Sequence, residues 1–291
     1  MLRRLVIGFC LLVSACSPAE PTASPTPLPP TSTPTSIPTI VPTATEAAAV
    51  STVEFLVPQV LSVRPHDTAA FTEGLLWHEG SLYESTGQNG NSYVREVNPE
   101  TGEVLRQVDA PDDVFGEGIS IVGNRIIELT WRNEVAFVYD LETFASVGTF
   151  TYEGEGWALC YDGERLVMTD GTPNLFFRNP ETFELIGQVA VTLDGQPISN
   201  LNEIECVDGQ VYANVWLTDG IVRIDPTTGN VTASIDATGL LTAEERAAAG
   251  SNGVLNGIAY VPEEDVFFIT GKLWPHLFEV RFVPSEEDAV G

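Results

Sequence analysis

From residue 57 onward, apolar side chains alternate with polar ones in short runs, as in Ser81-Leu82-Tyr83-Glu84-Ser85, Arg125-Ile126-Ile127-Glu128-Leu129 and Gln210-Val211-Tyr212-Ala213-Asn214. A period of two predicts strands. The runs themselves recur. Phe71-Thr72-Glu73-Gly74-Leu75, Phe115-Gly116-Glu117-Gly118-Ile119, Gly154-Glu155-Gly156-Trp157, Leu201-Asn202-Glu203-Ile204 and Leu255-Asn256-Gly257-Ile258 each open an alternating run, which a turn and a second run follow. A second mark trails most copies: the segments beginning Asn98-Pro99-Glu100-Thr101, Asp140-Leu141-Glu142-Thr143, Asn179-Pro180-Glu181-Thr182 and Asp225-Pro226-Thr227-Thr228 suit turns between outer strands. Aligning Gly74, Gly118, Gly156, Glu203 and Gly257 gives spacings of 44, 38, 47 and 54 residues, the span of one four-stranded propeller blade. The pattern predicts an all-β fold, a five-bladed β-propeller whose innermost strands bring the five copies to a common central funnel. The apolar run 57 to 63 precedes the first copy and is expected to supply the outer strand of the fifth blade. Residues 242 to 250, with a capping Thr, early acids and a terminal Gly, predict one short surface helix.

The first 50 residues follow another rule. A basic start, Met1-Leu2-Arg3-Arg4, leads into the apolar run 5 to 13 and then Ser14-Ala15-Cys16, the layout of an export signal. Small residues before a cysteine resemble the lipobox of bacterial lipoproteins, which implies lipidation of Cys16; an ordinary cleaved signal with a chance cysteine is the plainer alternative. Residues 17 to 50 are Pro, Thr, Ser and Ala with almost no large apolar side chain, so they predict a disordered, proline-stiffened tether. The expected organisation is a signal peptide over 1 to 16, a linker over 17 to 50 and the propeller over 51 to 291. The chain then reads as an exported, extracytoplasmic lipoprotein, monomeric, touching the membrane only through its lipid anchor.

A formal net charge of −28 argues against nucleic-acid or anionic-membrane binding. It fits a soluble acidic surface, or attraction of cationic peptide N-termini. With Cys10 and Cys16 in the signal, Cys160 and Cys206 remain, each three residues before an Asp-Gly turn glycine. That placement suggests the same strand position in adjacent blades, and either a disulfide suited to an exported protein or two buried thiols. His66, His78 and His276 are scattered and no CxxC spacing occurs, so no metal site is predicted.

Chemistry is to be sought where the repeats interrupt their own pattern. Glu73, Glu117 and Glu155 occupy matching places by this alignment, with Glu203 and Glu205 in the fourth copy, and crowded carboxylates raise one another's pKa. Trp131, Trp157, Trp216 and Trp274 add apolar faces from four blades, and desolvation by such faces equips a glutamate as a general acid. The competing reading is that these glutamates bond backbone amides of the next blade. Lys272 lies at the end of a predicted strand. Asn202, Asn214 and Asn256 are candidates to read another amide, or are buried structural groups.

These residues resemble those of a known family, the plant and bacterial type of glutaminyl cyclase. The resemblance covers nearly all of residues 60 to 283 and rests on the five copies together with Tyr83-Glu84-Ser85-Thr86-Gly87, Leu129-Thr130-Trp131, Ala213-Asn214-Val215-Trp216 and Gly271-Lys272-Leu273-Trp274. Two positions depart from it: Glu73, where many bacterial relatives carry Gln, and Thr169, where Ser is common. The resemblance implies cyclisation of an N-terminal glutamine of a peptide or protein to pyroglutamate with release of ammonia, and no cofactor. By family position Glu117 is the proton shuttle; Lys272 and Asn202 are expected to hold the amide and oxyanion, Phe71, Trp131, Trp157 and Trp216 to wall the pocket, and Glu73 to meet the α-amine. The alternatives are a non-catalytic, surface-anchored propeller binding module, and a propeller lactonase, which would need a central divalent metal.

Overall fold

A computed structural model describes residues 53 to 285. The expected export signal with Cys10 and Cys16, and the 17 to 50 tether, lie outside the described residues. After β1 (Glu54–Pro65), strands β2 (Thr72–His78), β3 (Ser81–Thr86), β4 (Tyr93–Val97) and β5 (Val104–Asp109) pair in that order as an antiparallel sheet. The arrangement repeats in β6 (Gly116–Val122), β7 (Arg125–Thr130), β8 (Val135–Asp140) and β9 (Ser146–Thr151), and again in β10 (Ala158–Tyr161), β11 (Leu166–Thr169), β12 (Asn174–Arg178) and β13 (Leu185–Ala190). A small hairpin, β14 (Thr192–Leu193) with β15 (Gln196–Pro197), precedes the fourth set: β16 (Leu201–Val207), β17 (Gln210–Val215), β18 (Gly220–Ile224) and β19 (Val231–Asp236). Helix α1 (Ala243–Ala249) leads to β20 (Leu255–Val261), β21 (Val266–Gly271) and β22 (His276–Pro284).

The last set lacks a fourth strand of its own, and β1 supplies it. β1 runs antiparallel to β22 from Leu56 opposite Pro284 to Pro65 opposite His276, while Glu54 to Leu56 pair in parallel with Ala233 to Ile235 of β19. The run 57 to 63 therefore fills the place expected of it. The expected helix is present, with Thr242 as N-cap in a reciprocal capping box with Glu245. Its insertion between β19 and β20 accounts for the longest repeat spacing. The turn signals also hold: Oδ1 of Asn98, Asp140, Asn179 and Asp225 each accepts from a backbone N–H two or three residues on, between the third and fourth strands of a set.

Burial falls from the first strand of each set to the last. β2, β6 and β20 are buried almost throughout, whereas β5, β9 and β13 expose most of their residues. The apolar core divides into five clusters, each shared by two neighbouring sets, and the cluster of Leu75, Leu82, Ala259 and Phe268 joins the last set to the first. The first strands pack on one another in the same cyclic order, so closely that a Cβ on Gly74 would lie 2.7 Å from the amide nitrogen of Ile119 and one on Gly118 would strike the Cα of Ala158.

That contact corrects the alignment of the third copy. Ala158, not Gly156, stands where Gly118 stands in the second set, and the place of Glu117 is taken by Trp157. Glu155 falls two residues before the matching position. The pair of Gly-Glu-Gly motifs hides this slip of two; with it corrected, the spacings from Gly74 through Gly118, Ala158, Glu203 and Gly257 are 44, 40, 45 and 54 residues, the first three closer to one another than before. The cysteines shift likewise. Leu159 opposite Met168 matches Ile204 opposite Ala213, so Cys160 corresponds to Glu205 rather than to Cys206, because the hairpin after β10 is longer than the one after β16. The two are nonetheless joined: Cys160 and Cys206 form a disulfide with Cα atoms 5.6 Å apart, tying β10 to β16.

Candidate active site

Four of the five first strands break register at the same point, between Thr72 and Gly74, Gly116 and Ile119, Leu201 and Ile204, and Leu255 and Ile258. A bulge re-aims a side chain that regular pairing would send elsewhere. The re-aimed residues are Glu73, Glu117, Asn202 and Asn256; in the third set β10 begins only at Ala158, leaving Trp157 in that place. One residue past the end of β3, β7, β17 and β21, and two past the end of the shorter β11, comes a further ring of equivalent positions: Gly87, Trp131, Gly171, Trp216 and Lys272. Gly87 is backed by the Phe115 ring and Gly171 by the Trp157 ring, so glycine stands where a neighbour's aromatic side chain needs the space.

These two rings enclose a cavity of about 250 Å³. Its polar lining is Glu73, Glu117, Asn202 and Lys272, and its wall is Phe71, Phe115, Trp131, Trp157 and Trp216. All eight pocket residues expected from the sequence are therefore brought together. Lys272, the chain's single lysine, donates to both carboxylate oxygens of Glu73 at 2.5 and 2.6 Å, and its Nζ lies 4.7 Å from the Phe71 ring centroid. Nδ2 of Asn256 donates to the Thr72 carbonyl at 2.9 Å and to Glu73 Oε2 at 3.3 Å, fixing Glu73 from behind. Glu117 is buried within hydrogen-bonding reach of Glu73. Burial drives both carboxyls upward, and the negative charge of Glu73 drives Glu117 well above the ordinary carboxylate range. Neighbouring carboxylates oppose each other's ionisation, and the Lys272 ammonium favours the charge on Glu73, so the balance favours the proton on Glu117. Asn202 is buried with its Oδ1 unpartnered, an acceptor kept free in the pocket.

The aromatic wall is braced from the rim. Oε2 of Glu155 accepts from Nε1 of Trp131 at 2.8 Å and from Nε1 of Trp157 at 3.0 Å, and Oε1 accepts from Nε of Arg132 at 2.8 Å. Partial burial pushes this carboxyl up, but the bonds from Trp157, Arg132 and Trp131 outweigh it and hold it below the usual range. Trp157 meets Trp216 edge to face with centroids 5.5 Å apart, and Phe115 packs on Trp131 at 5.6 Å.

The other candidates lie elsewhere. Glu203 accepts from the backbone N–H of Ile258 at 2.7 Å and of Leu75 at 3.4 Å, and Glu205 from that of Tyr260 at 3.0 Å, so these two are fasteners between sets. Asn214 Oδ1 accepts from Gly257 N–H at 3.0 Å, another fastener. Trp274 is wholly buried behind the pocket with Nε1 donating to the Gly253 carbonyl, and gives the cavity no face. His66 bridges Glu84 and the Trp274 carbonyl, and His276 pairs with Glu245. The cavity also includes Phe115, Leu217, Ser251, Asn252 and Val254, which sequence reasoning did not single out. The match of Phe115 to Phe71 was a usable signal. Leu217, 62 % exposed at the rim, and the segment after α1 sit in loops that carry no period.

Known proteins resemble this chain over most of its length. The family model for glutamine cyclotransferase matches residues 35 to 282. A glutaminyl-peptide cyclotransferase of Arabidopsis thaliana is 37 % identical over 227 residues, covering 77 % of this chain and 70 % of that protein. The crystal structure of Myxococcus xanthus glutaminyl cyclase superposes with a TM-score of 0.73 at 37 % identity, covering 81 % of this chain and all of that one.

Proposed function

We infer the reaction from one premise: this chain belongs to the glutamine cyclotransferase family. It is a glutaminyl-peptide cyclotransferase, converting an N-terminal glutamine of a peptide or protein to pyroglutamate. The closed cycle of strand sets corresponds, in this reading, to a five-bladed β-propeller with the reaction at its central funnel. The free α-amine attacks the side-chain γ-carbonyl carbon, the C–N bond to the amide nitrogen breaks, and ammonia leaves. Both reacting groups belong to one residue, so holding that residue folded back on itself supplies much of the rate.

The observation that carries the mechanism is the burial of Glu117 in the cavity beside Glu73, which raises its carboxyl well above the ordinary range and favours its protonated form. The neutral carboxyl donates that proton to the departing nitrogen, and the carboxylate so formed takes one from the attacking nitrogen, returning to its starting state. Asn202 Oδ1 accepts an N–H of the γ-carboxamide, turning the carbonyl toward the remaining donor capacity of Lys272, which steadies the oxyanion. Glu73, ionised beside Lys272, faces the α-amine. The aromatic wall excludes water from an intermediate that needs none.

Export and anchoring belong to the same proposal. The basic start, short apolar run and Cys16 support a signal peptide over 1 to 16 with lipidation at Cys16, and the Pro/Thr/Ser-rich stretch 17 to 50 supports a tether holding a monomeric domain, 51 to 291, outside the cytoplasm.

The test is incubation of a Gln-initiated peptide with the protein, read by mass for loss of one ammonia. Glu117→Gln keeps size and hydrogen bonding but carries no transferable proton, so cyclisation is expected to fall by about a hundredfold or more with melting temperature near the parent's. A variant cyclising within about threefold of the parent would remove Glu117 from the mechanism.

A further inference from the structure

The proton transfer above leaves Glu155 without a part, yet each of its hydrogen bonds leads to the pocket wall. One oxygen accepts both indole N–H groups, from Trp131 after the second strand of its set and from Trp157 at the head of the next. The other oxygen is held by Arg132, whose guanidinium lies 3.8 Å over the Trp131 ring. Building on the cyclotransferase reading, we propose that Glu155 is a positioning residue for the reaction. It joins two indoles from different sets at a single acceptor and thereby fixes the width of the slot in which the glutamine folds on itself.

Two physical consequences follow. An indole without its acceptor gains rotamer freedom that substrate binding must then remove, which weakens binding. An indole N–H without its acceptor is also left to water in the free protein, and that water must be expelled when the substrate enters. Neither effect touches the proton carried by Glu117. Loss of the clamp should therefore appear in KM and leave kcat nearly unchanged.

Two variants separate this role from a mere rim charge. Glu155→Asp keeps the charge but withdraws the carboxylate by roughly 1.5 Å, too far to serve both indoles. Glu155→Gln gives up the charge but keeps an acceptor oxygen at full reach. The clamp predicts that Asp raises KM for a Gln-initiated peptide about tenfold with kcat within about threefold, and weakens the near-ultraviolet circular dichroism of the indoles. Gln should leave all three near the parent's. The opposite pattern, Asp like the parent and Gln with raised KM, would show attraction of cationic N-termini and overturn the proposal, as would an Asp variant with parental KM and spectrum. The spectra need no substrate. A parent protein releasing no ammonia would sink the cyclotransferase reading, while an Asp-specific loss of indole signal would still establish the clamp.

Discussion

Charge balance at the pocket centre turns on single atoms. One ammonium and two carboxyls share the buried space, which is electrically neutral only while one carboxyl keeps a proton. Glu73→Gln would remove the charge that opposes ionisation of Glu117 and leave Lys272 unpaired beside it, and both changes lower the Glu117 pKa. The alkaline limb of the kcat/KM profile is then expected to move to lower pH; an unmoved limb would mean that the two carboxyls do not share a proton. At this scale the sequence was most readable where residues sit on repeat positions. Glu73 and Glu117 stand out because each interrupts a strand at a matching place, Lys272 because it is a scarce base at the end of a predicted strand, and Asn202 because its amide suits an amide substrate. Glu155 was found for the wrong reason. Its glycine-flanked context imitates Glu117, and only the contact between Gly118 and Ala158 shows the slip of two residues. The use of Glu73 as partner to Lys272 was also hidden, since nothing in their separation of 199 residues suggests a contact.

Matching strands can carry one residue type to opposite ends. Glu84 on β3 faces Leu75 and Glu128 on β7 faces Ile119, the same place in adjacent sets. Burial pushes Glu84 up, but His66 and Arg95 prevail and hold it at about 2; Glu128 meets only Tyr139 and is pushed by burial to about 8. The unfolded value for either is about 4.3. Glu84 therefore contributes stability above that value, lost as pH falls toward 2. Glu128 contributes stability below it, lost as pH rises through 8. Glu128→Gln keeps an acceptor for Tyr139 and cannot ionise, so the fall in melting temperature between about pH 5 and pH 9 should flatten in that variant. Thermal unfolding across the range checks this, with Glu205, likewise pushed by burial to about 8, expected to carry part of the remaining slope; a wholly unchanged slope would show that Glu128 does not contribute to it. Strand positions were readable from the period of two; the partner that decides each carboxyl's charge was not, because Arg95 and Tyr139 come from third strands whose register the sequence does not reveal.

For the whole molecule, the repeats made an all-β, sheet-dominated fold readable in advance, and the early apolar run pointed to the strand that completes the last set. Its depth of attachment was not readable: β1 bonds both β22 and β19, and Ser62 Oγ reaches Glu279 across 217 residues. Removing residues 1 to 52 should leave a cooperatively unfolding, active domain, whereas removing 1 to 65 should abolish the cooperative transition by exposing the flank of β22; equal stability of the two truncations would refute the closing role of β1. The same strand sets an order in time. Among the described strands a ribosome makes β1 first and β22 last, so between the two the nascent chain carries a twelve-residue strand whose main neighbour does not yet exist. Loop closure over such a distance is slow and leaves an open edge available to other chains. Phe55, Val60, Leu61 and Val63 stay exposed even after closure, and before it they form the sticky leading end of an unfinished circle. Until its last strand is made, this protein's beginning is left waiting for its end.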